Sequence, residues 1–182
     1  DAVRLVEAMA LDERNIHDVH LRIARQDNGD FWYDLADPTG RAVRMTPVGW
    51  EVVRKPPVYF RQYAKTAPQV MPERGGDLNA LRKFIRVSDE HDWHLLISWL
   101  VTCLIAEGPR PSIVLTGEQG SSKSTTARVL KRLLDPAVTE LIPISKDQAQ
   151  LSLSARQAYV LAFDNISYIA PEVSDSLCRI VT

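Results

Sequence analysis

A lysine and a hydroxyl placed side by side behind a short loop of small residues can hold a polyphosphate. Residues 113–125 read Ile-Val-Leu-Thr-Gly-Glu-Gln-Gly-Ser-Ser-Lys-Ser-Thr. That is an apolar strand, a small polar loop and then Lys123-Ser124 at the mouth of a helix, the order a phosphate-binding P-loop needs. Backbone N–H groups of Gly117, Glu118, Gln119, Gly120, Ser121 and Ser122 can wrap a β-phosphate, and the helix N-terminus beginning Lys123-Ser124-Thr125 adds its positive dipole end. Lys123 is expected to reach the β- and γ-phosphates and the Ser124 hydroxyl to ligate Mg²⁺, so the expected cofactors are ATP and Mg²⁺. The usual pattern, G-x-x-x-x-G-K-[ST], has glycine where this chain has Ser122. Serine is expected there with a backbone conformation open to any L-residue.

The second ligand a Mg²⁺ site requires is an acid at the end of a neighbouring buried strand. Tyr159-Val160-Leu161-Ala162-Phe163-Asp164 is mostly apolar and ends in a carboxylate, so Asp164 falls at the carboxyl end of a strand covered on both faces. Asn165 follows. An amide can orient a water by hydrogen bonds but cannot take its proton, so hydrolysis supported by Lys123, Asp164 and Asn165 is expected to be slow, or to take its base from elsewhere. Glu118 is a weak candidate for that base and reads better as a solvated loop acid.

These groups need elements to position them. After the loop, Ala127, Leu130 and Leu134 share one helical face with Val129 and Leu133 beside it, Arg128, Lys131 and Arg132 point outward, and Asp135-Pro136 stops the helix. Thr139 to Ile144 reads as a strand shortened by Pro143, and Lys146 to Arg156 as a helix. Upstream, Asp77 caps a helical stretch from Leu78 to Ile85. Ser88-Asp89 opens a longer helix to about Glu107, with Trp93, Leu96, Ile97, Leu100, Val101 and Leu104 facing the core. Asp1 to Leu11 reads as a short helix. Between them, residues 18–55 form an antiparallel meander with turns at Asp27-Asn28-Gly29, Asp37-Pro38-Thr39-Gly40 and Pro47-Val48-Gly49. Its first strand alternates Val19, Leu21 and Ile23 against His20 and Arg22. The expected organisation is a helix and small β-sheet over 1–62, a Pro/Gly-rich linker over 63–76, a helical segment over 77–108 and an incomplete P-loop core over 109–182. The fold class is α/β: a P-loop NTPase core with a parallel sheet, preceded by an antiparallel β region and a helical segment.

With 45% hydrophobic and 25% charged residues the chain is ordinary for a globular protein, and its formal net charge of −1 argues against a broadly basic nucleic-acid binder. Local patches stay open. Phe31-Trp32-Tyr33, Trp50 and Tyr59-Phe60 stand near Arg22, Arg25, Arg54 and Arg61 and could stack bases, although sheet packing explains these aromatics more cheaply. His91 and His94 beside Asp89, Glu90 and Asp92 read as a solvated first helical turn rather than a metal site. Cys103 and Cys178 read as buried free thiols of a reducing, cytoplasmic compartment, and the longest apolar run, Leu95 to Ala106, is too short to span a bilayer. A first residue of Asp and a last stretch inside a predicted helix suggest a segment of a longer protein.

The motif around Thr116 to Arg128, the stretch Val160-Leu-Ala-Phe-Asp-Asn-Ile-Ser and the closing Leu177-Cys-Arg resemble bacterial and phage-associated ATP-binding proteins of mobile elements. Gly49-Trp50 and Pro56 to Arg61 are similar to segments upstream in the same proteins. More distantly the chain looks like the ATPase part of phage and plasmid primase–helicases of superfamily 3, the AAA+-like type. That resemblance implies an ATP-driven motor acting on DNA, homo-oligomeric and engaging DNA through the full-length protein, with no membrane partner. A nucleotide-dependent switch with little turnover and a small-molecule kinase are the other readings the residues allow.

Overall fold

The computed structural model describes residues 2–10, 16–105, 108–118 and 120–181. Helix α1 spans Ala2–Ala10. Short strands β1 (Val19–His20) and β2 (Ile23–Arg25) follow, then β3 (Phe31–Asp34), β4 (Ala42–Thr46), β5 (Gly49–Val53) and β6 (Tyr59–Phe60). A 3-10 helix, Leu78–Lys83, leads into α2 (Glu90–Cys103), α3 (Lys123–Leu134), α4 (Gln148–Gln157) and α5 (Pro171–Val181).

Strands β2 to β5 form the expected antiparallel meander in sequential order. Its register puts Ile23, Tyr33, Val43 and Val52 in one row across the sheet. The turns fall where Asp, Asn and Gly predict them: Gly29 and Gly40 adopt positive φ, and Gly40 N–H donates to the Asp37 carbonyl at 3.0 Å. One face, built on Ile23, Tyr33, Leu35 and Val43, packs against Leu104 and Tyr159 from the C-terminal half. The other face packs Ala24, Trp32 and Ala42 against Val53, Val58 and Phe60. A second core joins Ile85, Trp93, Leu96 and Leu100 to Leu130 and Leu134, with Ile113 and Val160 at its margin.

Several expectations are corrected. The parallel sheet of the C-terminal half reduces to one bridge, Ile142 with Phe163; the two-stranded parallel sheet lies elsewhere, between β1 and β6. Proline holds φ near −65°, away from the parallel-strand value, so Pro143 limits pairing beyond Ile142. Residues 112–116, expected as a strand, form no strand and pair with no neighbour, and Val114 is 78% exposed. The first meander strand is broken by a bend at 21–22, so Arg22 turns inward and is 1% exposed. Lys131, expected outward, is 3% exposed. Val101 is exposed on α2, and Cys178 is exposed on α5. Burial pushes the half-buried Cys103 thiol up to about 11. The cap of α2 is Asp89, whose carboxylate accepts from Asp92 N–H; the helix ends at Cys103, and the last expected residues, 106 and 107, lie outside the described ones.

The two inward charges explain each other. The Arg22 guanidinium reaches Asp135 Oδ1 at 2.9 Å and donates to the carbonyls of Asp34 and Pro136. The other carboxylate oxygen of Asp135 accepts from Lys131 Nζ at 2.6 Å and from the backbone N–H groups of Tyr159 and Val160. Lys131 also donates to the Val160 carbonyl at 2.7 Å. Burial alone would raise the Asp135 carboxyl, but Lys131, Arg22 and the Val160 amide hold it below its ordinary value of 3.8.

The end of α3 is closed from the N-terminal side. Its last four carbonyls would lack helical partners. Asp135 N–H takes that of Lys131, Gln69 Nε2 donates to those of Arg132 and Leu133, and the Tyr33 hydroxyl donates to that of Leu134 at 2.9 Å. Residues 65–69 pair on both sides, with an antiparallel bridge from Thr66 to Ala137 and a hydrogen bond from Gln69 N–H to the Leu35 carbonyl.

Asp135→Asn should cost about 3–5 kcal/mol of stability, because Arg22 and Lys131 would stay buried without a counter-charge. Denaturant unfolding of both proteins measures it. A carboxyl with a depressed folded pKa adds stability that is fully present above its unfolded value and is lost as pH falls through the folded one. The wild type should therefore lose stability on acidification below about pH 4, and the variant should lack that part of the slope.

Candidate functional site

The loop from Gly117 to Ser122 turns the chain into α3, whose first residue is Lys123. Among its described residues three hold positive φ: Gly117 at 146°, Gly120 at 83° and Ser122 at 64°. Glycine tolerates this freely; serine does not. Ser122, the N-cap of α3, sits at φ 64°, ψ 19° in the left-handed region and makes no side-chain cap hydrogen bond. The expectation of an unstrained conformation at Ser122 is thereby corrected. Gly117 has a separate reason to lack a side chain, since a Cβ there would meet Ser121 Oγ at 2.8 Å.

The loop closes around its own lysine. Lys123 Nζ donates to the carbonyls of Gly117 at 2.8 Å and Glu118 at 2.7 Å, and to Ser121 Oγ at 3.2 Å. Ser121 N–H donates to the Glu118 carbonyl. Glu118, Gly120, Ser121 and Ser122 are exposed, as is Thr125 one turn into α3. Gln119 lies outside the described residues.

One residue beyond the lysine, Ser124 Oγ donates to Asp164 Oδ1 at 2.8 Å across 40 residues of chain. Two segments bring that contact about. Ser124 is in the first turn of α3. Asp164 follows the bridge residue Phe163, and its N–H donates to the Ile142 carbonyl at 3.2 Å. Asp164 Oδ1 also accepts from the N–H of Asn165, which turns away at φ 57°. Asparagine is among the few residues that visit this region readily; the strand expected over 159–164 reduces to the bridge at Phe163, and Asn165 is exposed. The structure thus brings Lys123, Ser124, Asp164 and Asn165 to one end of α3. Ser124 Oγ and the Asp164 carboxylate are hard oxygen donors of the kind Mg²⁺ takes, usually with waters completing its shell.

The Arg22–Asp135–Lys131 cluster at the other end of α3 was not anticipated. The one signal for it was the i, i+4 spacing of Lys131 and Asp135, which reads equally as an exposed pair. The histidine reading of α2 gains nothing: Glu90 is held by a double hydrogen bond from Arg82 at 2.8 and 2.7 Å, and among the described residues no three His, Cys, Asp or Glu side chains gather as a metal site.

The model of the actinomycete integrative conjugative element replication proteins matches residues 78–182, more than half of the chain and all of the segment carrying the loop and Asp164. The chain belongs to this family. Its association with the replication of a mobile element follows from that membership. No curated protein and no solved structure matches the chain. Among the described residues, no helix of this replication protein is long and apolar enough to cross a membrane.

Ser122→Gly should stabilise the protein by roughly 1 kcal/mol, the left-handed penalty outweighing the extra entropy of a free glycine. Urea unfolding checks the sign. A loss of similar size would mean that the Ser122 hydroxyl makes a contact worth more than the strain.

Proposed function

We propose that the chain binds MgATP on residues 117–125, as the nucleotide-binding part of a helicase- or primase-like DNA replication protein of a mobile element. The observation that carries this reading is the Ser124–Asp164 contact, 2.8 Å, at the head of the helix that Lys123 opens. A hydroxyl and a carboxylate brought together there, beside a loop with three left-handed positions, are the groups that a phosphate chain and its metal ion require.

In this reading the loop backbone and the α3 N-terminus receive the phosphates. Lys123, now bonded to the carbonyls of Gly117 and Glu118, would hold phosphate oxygens, and Ser124 and Asp164 would hold the ion. When bound, Mg²⁺ neutralises charge on the phosphate oxygens. Asn165, as an amide, could orient a water but could not deprotonate it. That feature favours a second reading, a nucleotide-dependent switch with little turnover. In the first reading the missing activation comes from an arginine of an adjacent subunit, worth about 10³-fold or more in rate, so the full-length protein works as a cytoplasmic homo-oligomer on DNA.

Calorimetric titration with a slowly hydrolysed ATP analogue, with and without Mg²⁺, tests the site. Lys123→Ala should weaken binding about 10- to 100-fold while circular dichroism stays unchanged, the size expected for a lost charge-assisted hydrogen bond. Asp164→Asn should remove most of the Mg²⁺ dependence and spare metal-free binding. Wild-type affinity in Lys123→Ala would refute the site. Steady-state ATPase should be slow in this chain and faster, and concentration-dependent, in the full-length protein. Equal rates independent of concentration in both would contradict the oligomeric motor and leave a self-contained enzyme.

A further inference from the structure

The aromatic and arginine residues that the sequence offered for base stacking divide into two groups. Trp32 and Tyr33 are buried, Phe31 and Trp50 pack on the sheet core, and Arg22 is locked to Asp135. That part of the set is structural. Tyr59 and Arg61 stand outside, at the small parallel sheet of β1 and β6.

The pairing there is Val19 with Tyr59 and His20 with Phe60, extended by a hydrogen bond from Arg61 N–H to the His20 carbonyl at 2.8 Å. Strand alternation sends Phe60 inward against Ala24, Trp32 and Ala42, and Tyr59 outward. Tyr59 is 53% exposed, and the ring of His17 lies on it with centroids 4.5 Å apart and planes 32° apart. Next along the strip, the Arg61 guanidinium stands over the Tyr63 ring at 5.0 Å. Residues 54–65 carry four cations, Arg54, Lys55, Arg61 and Lys65, and no carboxylate, in a chain of net charge −1. All four are exposed, and among the described residues none forms an ion pair. Asp18, the residue before β1, is an exposed acid.

We propose that this outward strip, His17, Tyr59 and Arg61, with Arg54 and Lys55 a few residues away in the sequence, is a binding surface for single-stranded nucleic acid. Exposed rings beside unpaired cations match a chain of stackable bases on a polyanionic backbone, and stacking needs no particular base. A duplex presents only its phosphates here, because its bases are already stacked on each other. The surface involves neither Lys123 nor Asp164, so it stands whether or not the nucleotide reading does.

Fluorescence anisotropy of the full chain with labelled single-stranded DNA, single-stranded RNA and duplex DNA, without ATP, tests it. Single strands should bind more tightly than duplex; the tighter of DNA and RNA identifies the sugar preferred. Tyr59→Ala should weaken single-strand binding about 5- to 100-fold, the range of one base–aromatic contact. Arg61→Gln should weaken it and lower the salt slope by about 1, whereas Lys83→Gln, an exposed cation on the 3-10 helix, should change little. Ultraviolet cross-linking of the unsubstituted protein to a bromodeoxyuridine strand should label residues 17–20 or 54–63, and this readout does not depend on any variant folding. Absence of single-strand binding, binding untouched by both strip substitutions, or cross-links confined to other segments would overturn the proposal.

Discussion

The carboxylate of Asp135 holds the two halves of this chain in register. It sits one residue past the end of α3, nearly dry, with Arg22 from the β-sheet on one oxygen and Lys131 and the amides of Tyr159 and Val160 on the other. Taking three ionised side chains out of water costs several kcal/mol per ion, repaid only when the geometry satisfies every polar atom. Here it does: among the described residues no buried side-chain nitrogen or oxygen lacks a partner. Such a cluster tolerates little displacement, because moving any member strands a charge.

That rigidity reaches the candidate site along two parallel routes. Helix α3 runs about 18 Å from Lys123 to Leu134 at the usual rise per residue, and its far end is closed by Asp135, Gln69 and Tyr33. The segment from Tyr159 to Asp164 begins on the Asp135 carboxylate, through the Tyr159 and Val160 amides, and ends beside Ser124. Helix and segment are therefore tied together twice, at one end by Asp135 and Lys131 and at the other by Ser124 and Asp164. With the far tie fixed, the near one is placed by the covalent chain. The loop holds Ser122 in the left-handed region and closes on Lys123 through contacts that involve exposed groups.

The sequence made some of this legible and hid the rest for identifiable reasons. The meander and its turns were readable because alternation and Asp/Asn-Gly turns are local signals. The loop, α3 and the place of Asp164 were readable because residue type and spacing alone bring them into one pattern. The inward turn of Arg22 was not, since it depends on a bend at 21–22 and on a carboxylate 113 residues away. Lys131 was assigned to solvent by helical periodicity, which sees a charge but not the partner that lets it be buried. The parallel sheet was overestimated, because apolar runs such as Ile113 to Leu115 read as strands whether or not a neighbour is available to pair with them. The left-handed Ser122 was missed because a serine argues against that region and nothing local in the sequence signals it.

The central claim is that Ser124 and Asp164 meet because they hold one metal ion beside bound phosphates. It is tested most directly by a crystal structure of the protein with Mn²⁺ and a nucleoside diphosphate, with anomalous scattering locating the metal. The account expects a single Mn²⁺ peak between Ser124 Oγ and the Asp164 carboxylate, the direct hydrogen bond of those two groups replaced by the ion, and phosphate oxygens within reach of Lys123. A nucleotide bound elsewhere, or a Ser124–Asp164 hydrogen bond persisting beside it with no metal between them, would contradict it.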